Sequence, residues 1–138
     1  MTTPLWCVLF FAAWTLSLVA LGVGPWRVLQ VLLHRARPNG FASGSPHGPD
    51  WYQRLNRAHA NCVENLPVFG AVVLLGHVTG LTSGLFATLA QVYVAARVGQ
   101  TLAHLSSGRS LVVNVRFTFF VVQVTVVGWM MVLIARSG

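Results

Sequence analysis

Three groups of polar residues stand in otherwise apolar segments, and their spacing is helical. Arg57, Asn61 and Glu64 follow at i, i+4 and i+7, and Tyr93, Arg97, Gln100 and His104 at i, i+4, i+7 and i+11. Each group therefore forms one stripe on one helix face. Thr101 flanks the second stripe. Asn114 and Arg116 open a third apolar segment, with Gln123 one heptad after Arg116. Each has a plain reading when taken alone. Arg57 and Glu64 could be a structural pair that locks helix packing. His104 could be an interfacial histidine at a helix end, and Arg116 could snorkel to the headgroups. Taken together, the stripes outline a polar cavity at one depth with surplus positive charge. Such a cavity suits a water-soluble, multiply anionic small molecule, and the apolar helix surfaces around it suit a second, lipophilic ligand delivered from a bilayer.

Other chemistries find no residues. There is no Ser-His-Asp arrangement, no phosphate loop and no metal-ligand cluster. The five histidines are scattered, and His34 with Arg35 and Arg37 reads as a helix end. Cys7 and Cys62 sit near opposite ends of predicted spans, so no disulfide is expected between them.

The elements that must position these groups follow from composition. Of 138 residues, 55% are hydrophobic and 8% charged. That is about a third of the charge a soluble domain carries, and too little to cover a surface so large relative to the volume of a small protein. The chain reads as an all-α membrane protein of one domain, residues 1–138. Leu5 to Trp26 has no charge and is long enough for ~30 Å of hydrocarbon, with Pro25 expected to kink its end. A signal peptide is disfavoured, because no positive charge precedes the run and no small-residue cleavage site follows. Pro38 to Trp51 is rich in Gly and Pro and reads as a loop. Asn65 to Ala96 is again uncharged, and Thr79–Gly84 breaks it. The expectation is a four-helix transmembrane bundle, with helices at about 5–35, 52–78, 85–105 and 110–135.

Charge sets the expected orientation. All nine basic residues are Arg, the only acids are Asp50 and Glu64, and the formal charge is +7. Arg27, Arg35, Arg37, Arg54 and Arg57 flank the first loop, and Arg109 and Arg116 the third. Only Arg136 falls at the other end. The positive-inside rule puts the first and third loops in the cytoplasm and both termini outside. The arginines are too sparse for nucleic acid, which is not expected as a partner. Four short helices could hardly shield three stripes within one subunit, so an oligomer with sites between subunits is expected.

The segment from Arg54 to Pro67, Arg-Leu-Asn-Arg-Ala-His-Ala-Asn-Cys-Val-Glu-Asn-Leu-Pro, resembles the helix 2 signature of the MAPEG family, the membrane-associated proteins of eicosanoid and glutathione metabolism. Its pattern is Arg-Ala-x-x-Asn-x-x-Glu with a Pro shortly after. Four spans, a Gly-rich first loop and an Arg in helix 3 agree over nearly the whole chain. The resemblance implies a homotrimer that binds glutathione between subunits near the cytoplasmic face. It implies that Arg57, Asn61 and Glu64 hold the tripeptide. Gln100 and His104 fall where other members use His or Tyr to contact it, Arg97 is a further candidate, and Arg35 is a candidate for a glutathione carboxylate. An Arg near the start of helix 4 stabilises the thiolate in well-understood branches. Tyr is absent at both helix 3 contact positions, so the leukotriene and prostaglandin synthase pattern is incomplete.

Arg109 and Arg116 compete for the thiolate role. Arg109 directly follows Ser106-Ser107-Gly108, at headgroup level, whereas Arg116 lies seven residues further along, roughly 10 Å deeper. Depth and poor screening favour Arg116. A free thiol has a pKa near ~8.5, so a fixed Arg charge beside the sulfur favours the reactive thiolate. The expected function is a membrane-bound glutathione transferase, with glutathione peroxidase as a related activity, acting on lipophilic electrophiles or lipid hydroperoxides in a detoxification role. The alternative is a non-catalytic protein of the same fold that binds membrane lipid or a partner. No metal cofactor is expected.

Overall fold

The computed structural model describes residues 1–41, 47–106 and 110–137. Among these residues the chain forms four helices and no strand: α1 (Thr3–Leu32), α2 (Asp50–Val78), α3 (Gly84–Ser106) and α4 (Ser110–Ser137). α1, α2 and the stretch Leu111–Ser137 of α4 are long and apolar enough to cross a membrane. α3, at 23 residues, has the length for ~30 Å of hydrocarbon and turns Arg97, Gln100 and Thr101 inward. Apolar side chains such as Leu16, Leu21, Leu75, Phe117 and Trp129 stay exposed on the outside, as a lipid-facing surface requires.

α1 continues through Pro25. The residues Val19–Val23 form a π turn, in which the Gly24 N–H donates to Val19 O. Proline has no N–H and its ring crowds the preceding turn, and the widened turn absorbs both defects. Gly24 permits the close approach, because a Cβ there would lie 2.8 Å from Val19 O. Where Pro25 was expected to kink the end of helix 1, the chain carries a π turn just before the proline. The helix also ends at Leu32 rather than near residue 35. His34 takes a left-handed conformation (φ 54°), and the Arg35 N–H folds back to Gln30 O at 2.9 Å. This is a Schellman-type end with histidine where glycine is usual.

The break between α2 and α3 is a second such end. Gly80 has φ 82°, and the Leu81 N–H donates to Gly76 O at 2.8 Å. Pro67 lies inside α2 without interrupting it.

The core is aromatic. Phe69 and Tyr93 stack with centroids 4.1 Å apart and rings 6° from parallel. Phe11 meets both edge-on, at 6.2 and 6.1 Å. All three are buried. In lipid the hydrophobic effect gives little drive between helices, so such close packing carries the association. Each aromatic pair adds roughly 0.5–1.5 kcal/mol. This stack joins α1, α2 and α3, and α4 packs most extensively on α3.

Candidate functional site

The α3 stripe faces into the bundle. Arg97 is 1% exposed and Gln100 4%. The Arg97 guanidinium donates from Nη1 to Gln100 Oε1 at 2.8 Å and from Nη2 to Tyr93 Oη at 3.4 Å. Its charge also lies over the rings of Phe11 (5.7 Å) and Tyr93 (5.8 Å). Both ring faces are negative, so they stabilise the cation in place of a carboxylate. Arg97 Nε and Gln123 Oε1 are buried without a partner. One turn along, Thr101 accepts from Trp14 Nε1 at 3.5 Å and donates to Arg97 O at 3.0 Å. The buried Cys62 Sγ lies 3.6 Å from the same hydroxyl.

At the α3–α4 end of this network stands Arg116. Its Nη1 is 3.2 Å from His104 Nδ1. A guanidinium can only donate, so Nδ1 accepts and the imidazole carries its proton on Nε2. The main-chain carbonyl of Arg116 accepts from Gln100 Nε2 at 3.0 Å. Residues 100 and 104, one turn apart on α3, thus grip the backbone and the head of Arg116. Arg57 and Arg97 also lie within electrostatic reach of His104, and every charge acting on that ring is positive. Such a place attracts an anion.

The α2 stripe keeps its charged groups at the surface. Arg57 and Glu64 are exposed on the outer face of the subunit and Asn61 is half-buried. The alternative reading of Arg57 and Glu64 as a structural pair finds no ion pair between them within the subunit. Asn61 instead accepts from Asn65, whose Nδ2 reaches Asn61 O at 2.8 Å and Asn61 Oδ1 at 3.1 Å. Asn65 was passed over in the sequence, although it stands at i+4 from Asn61.

The structure therefore brings Arg116, His104 and Gln100 together, with Arg57 near by. It holds Arg97 and Gln100 inside the bundle, where neither has surface to offer a ligand. Arg35 sits apart, in an open cleft of about 450 Å³ shared with Val31, His34 and Arg37 beyond the end of α1. Arg109 lies outside the described residues. No group of three metal-ligating side chains occurs among the described residues.

This arrangement, four helices with a buried Arg on α3 and a polar stripe on α2, agrees with the comparison against protein families. Residues 3–136 match the one described as the MAPEG family, which takes in all four helices. The chain belongs to the MAPEG family. No curated protein matches it individually. MAPEG proteins are integral membrane helical bundles, and the family includes glutathione transferases and related enzymes as well as non-catalytic members. Within that frame the MAPEG stripe on α2 is outward in this subunit, and the α3 stripe is consumed by internal hydrogen bonds.

Proposed function

We propose that this MAPEG protein is a membrane-bound glutathione transferase in which Arg116 stabilises the thiolate. The observation that carries the reading is the placement of the Arg116 head: half-buried, held at 3.2 Å from a neutral His104, with only positive charges near by. Glutathione is a tripeptide with two carboxylates, an ammonium group and a thiol. In this reading Arg57 meets a carboxylate, Glu64 the ammonium and Asn61 the peptide backbone, with Arg35 a candidate for the second carboxylate. Because Arg57 and Glu64 face outward, the site is completed by a neighbouring subunit, and the assembly is a homotrimer.

The thiolate attacks an electrophilic carbon, a carbon–sulfur bond forms, and the leaving group departs with its electron pair. A lipophilic acceptor would approach over the exposed Phe117 and Phe120 of α4. With a lipid hydroperoxide, the thiolate attacks the distal oxygen, the O–O bond breaks to give the sulfenic acid, and the alkoxide takes a proton from water and leaves as the alcohol. A second glutathione then reduces the sulfenic acid, giving the disulfide and water. The test is turnover of an aryl halide by the purified protein with glutathione. Glutathione binding without turnover would favour a non-catalytic role.

A further inference from the structure

We infer that Gln100 and Gln123 are positioning residues that fix Arg116, an inference that rests on the proposed role of Arg116. Gln100 has little to give a ligand: both oxygen lone pairs and one of its two amide hydrogens are engaged, and the residue is buried. Its Oε1 accepts from Arg97 Nη1 at 2.8 Å and from Gln123 Nε2 at 3.2 Å. Its Nε2 donates to the carbonyl of Arg116 at 3.0 Å, and only 4% of the residue is exposed. An amide oxygen has two lone pairs and both are used.

The geometry ties three points together. Arg97 fixes the Gln100 head from within α3. Gln123, 2% exposed and two turns along α4 from Arg116, fixes it from the opposite helix. The amide hydrogen thereby held in place pins the α4 backbone at Arg116 itself. A hydrogen bond to a main-chain carbonyl between two helices sets their relative height and rotation. Its Gln100 end is buried, which limits competition from water, and linked hydrogen bonds reinforce one another. The guanidinium of Arg116 is then aimed by His104, one turn from Gln100 on the same face. If α4 slides or turns, the charge leaves the site even though Arg116 is intact.

The test uses the full-length protein in detergent with two ligands, glutathione and S-methylglutathione. The blocked thiol of S-methylglutathione reports binding contacts alone, whereas ultraviolet thiolate absorbance against pH reports the charge at the sulfur. Gln100→Met should raise the thiolate midpoint by about half a unit to one unit, the equivalent of one net hydrogen bond, and lower kcat at neutral pH. Its Kd for S-methylglutathione should stay within about twofold, less than one hydrogen bond's worth. Gln123→Met, further from Arg116, should move the midpoint in the same direction. The double variant should shift it by less than the two single shifts combined, since both act through one amide. Should Gln100→Met fail to assemble, Gln123→Met carries the same comparison from the far end of the relay. A tenfold loss of S-methylglutathione affinity in Gln100→Met would make Gln100 a ligand contact and overturn the inference. Unchanged midpoints in the variants would overturn it too, with the role of Arg116 left standing. A wild-type protein that binds glutathione with no thiolate signal removes the role of Arg116, and the inference with it.

Discussion

Replacing Arg116 with Ala should return bound glutathione to the thiol form. The size of the effect can be worked from the position of the charge. His104 Nδ1 lies 3.2 Å from Arg116 Nη1, which shows how closely a polar group seats against this guanidinium. A sulfur on the remaining donor edge would lie about 4 Å from the charge, worth ~4 kcal/mol at an effective dielectric constant of ~20. Arg116 is only half-buried, so solvent and counterions reduce this. Discounting by half to two-thirds leaves roughly 1.4–2 kcal/mol, or about 1–1.5 pK units. That is enough to lower a thiol from ~8.5 to ~7–7.5. The thiolate fraction at neutral pH then rises from a few per cent to roughly a quarter or a half.

The sign follows directly. A lowered thiol pKa means that thiolate persists as pH falls towards neutral, and its loss in Arg116→Ala appears first at neutral pH and disappears above about pH 9. Ultraviolet difference absorbance of the glutathione complex reads the midpoint, and aryl halide turnover reads the consequence. Arg116→Ala should lower turnover at pH 7 by about tenfold, the equivalent of one pK unit, and far less at pH 9. Arg116→Lys should recover part of the shift, since a point charge replaces a planar fork. If the Arg116→Ala midpoint stays within about 0.3 units of wild type, too small for a charge at that distance, the electrostatic argument is wrong.

Other expectations follow from burial. Glu64→Gln should weaken glutathione binding in calorimetry, yet leave the thermal stability of a dissociated subunit unchanged, because Glu64 is exposed and has no partner within it. Arg97→Ala should lower thermal stability by about 3 kcal/mol or more, by leaving a cavity under Phe11 and depriving Gln100 and Tyr93 of a donor; detergent denaturation curves measure it. Cys7 and Cys62 are both free and buried, so neither should react with a polar maleimide until the protein is unfolded, when both should. Native mass spectrometry should give a species at three times 15.0 kDa, and a monomer that still binds glutathione would refute a shared site.

Much of the fold was legible because lipid imposes simple rules on composition. The break at Thr79–Gly84 and the uncharged runs place α2, α3 and α4 to within a few residues. The π turn and the early end of α1 were not legible. They depend on how the chain accommodates Pro25, and on His34 adopting a backbone region that its residue type does not advertise. The stripes were legible as stripes, but not their direction. Helical spacing fixes the angles between side chains on one helix and leaves the rotation of that helix undetermined. Arg57-Asn61-Glu64 and Arg97-Gln100-His104 therefore look alike on paper. Gln123 was visible at its heptad spacing from Arg116, whereas its bond to Gln100 is a contact between helices that no local pattern encodes.

That difference in direction decides what each stripe does. The α3 stripe finds most of its partners inside the bundle, Arg97 bonding Gln100 and lying over two aromatic rings while Gln123 of α4 bonds Gln100, although Arg97 Nε and Gln123 Oε1 stay unpaired. The α2 stripe does not. Glu64 stands near the middle of a 29-residue helix, about 20 Å from its start at 1.5 Å per residue, and its side chain points out of the subunit. A carboxylate facing acyl chains is costly unless something outside the subunit meets it. Arg57, seven residues earlier and also exposed, poses the complementary problem with opposite sign. The proposed occupant, carrying an ammonium group and a carboxylate in a crevice closed by a second copy of the chain, would solve both at once. On the same proposal the inward stripe serves a different end: it holds the α4 backbone so that one fixed charge, Arg116, keeps its place against His104.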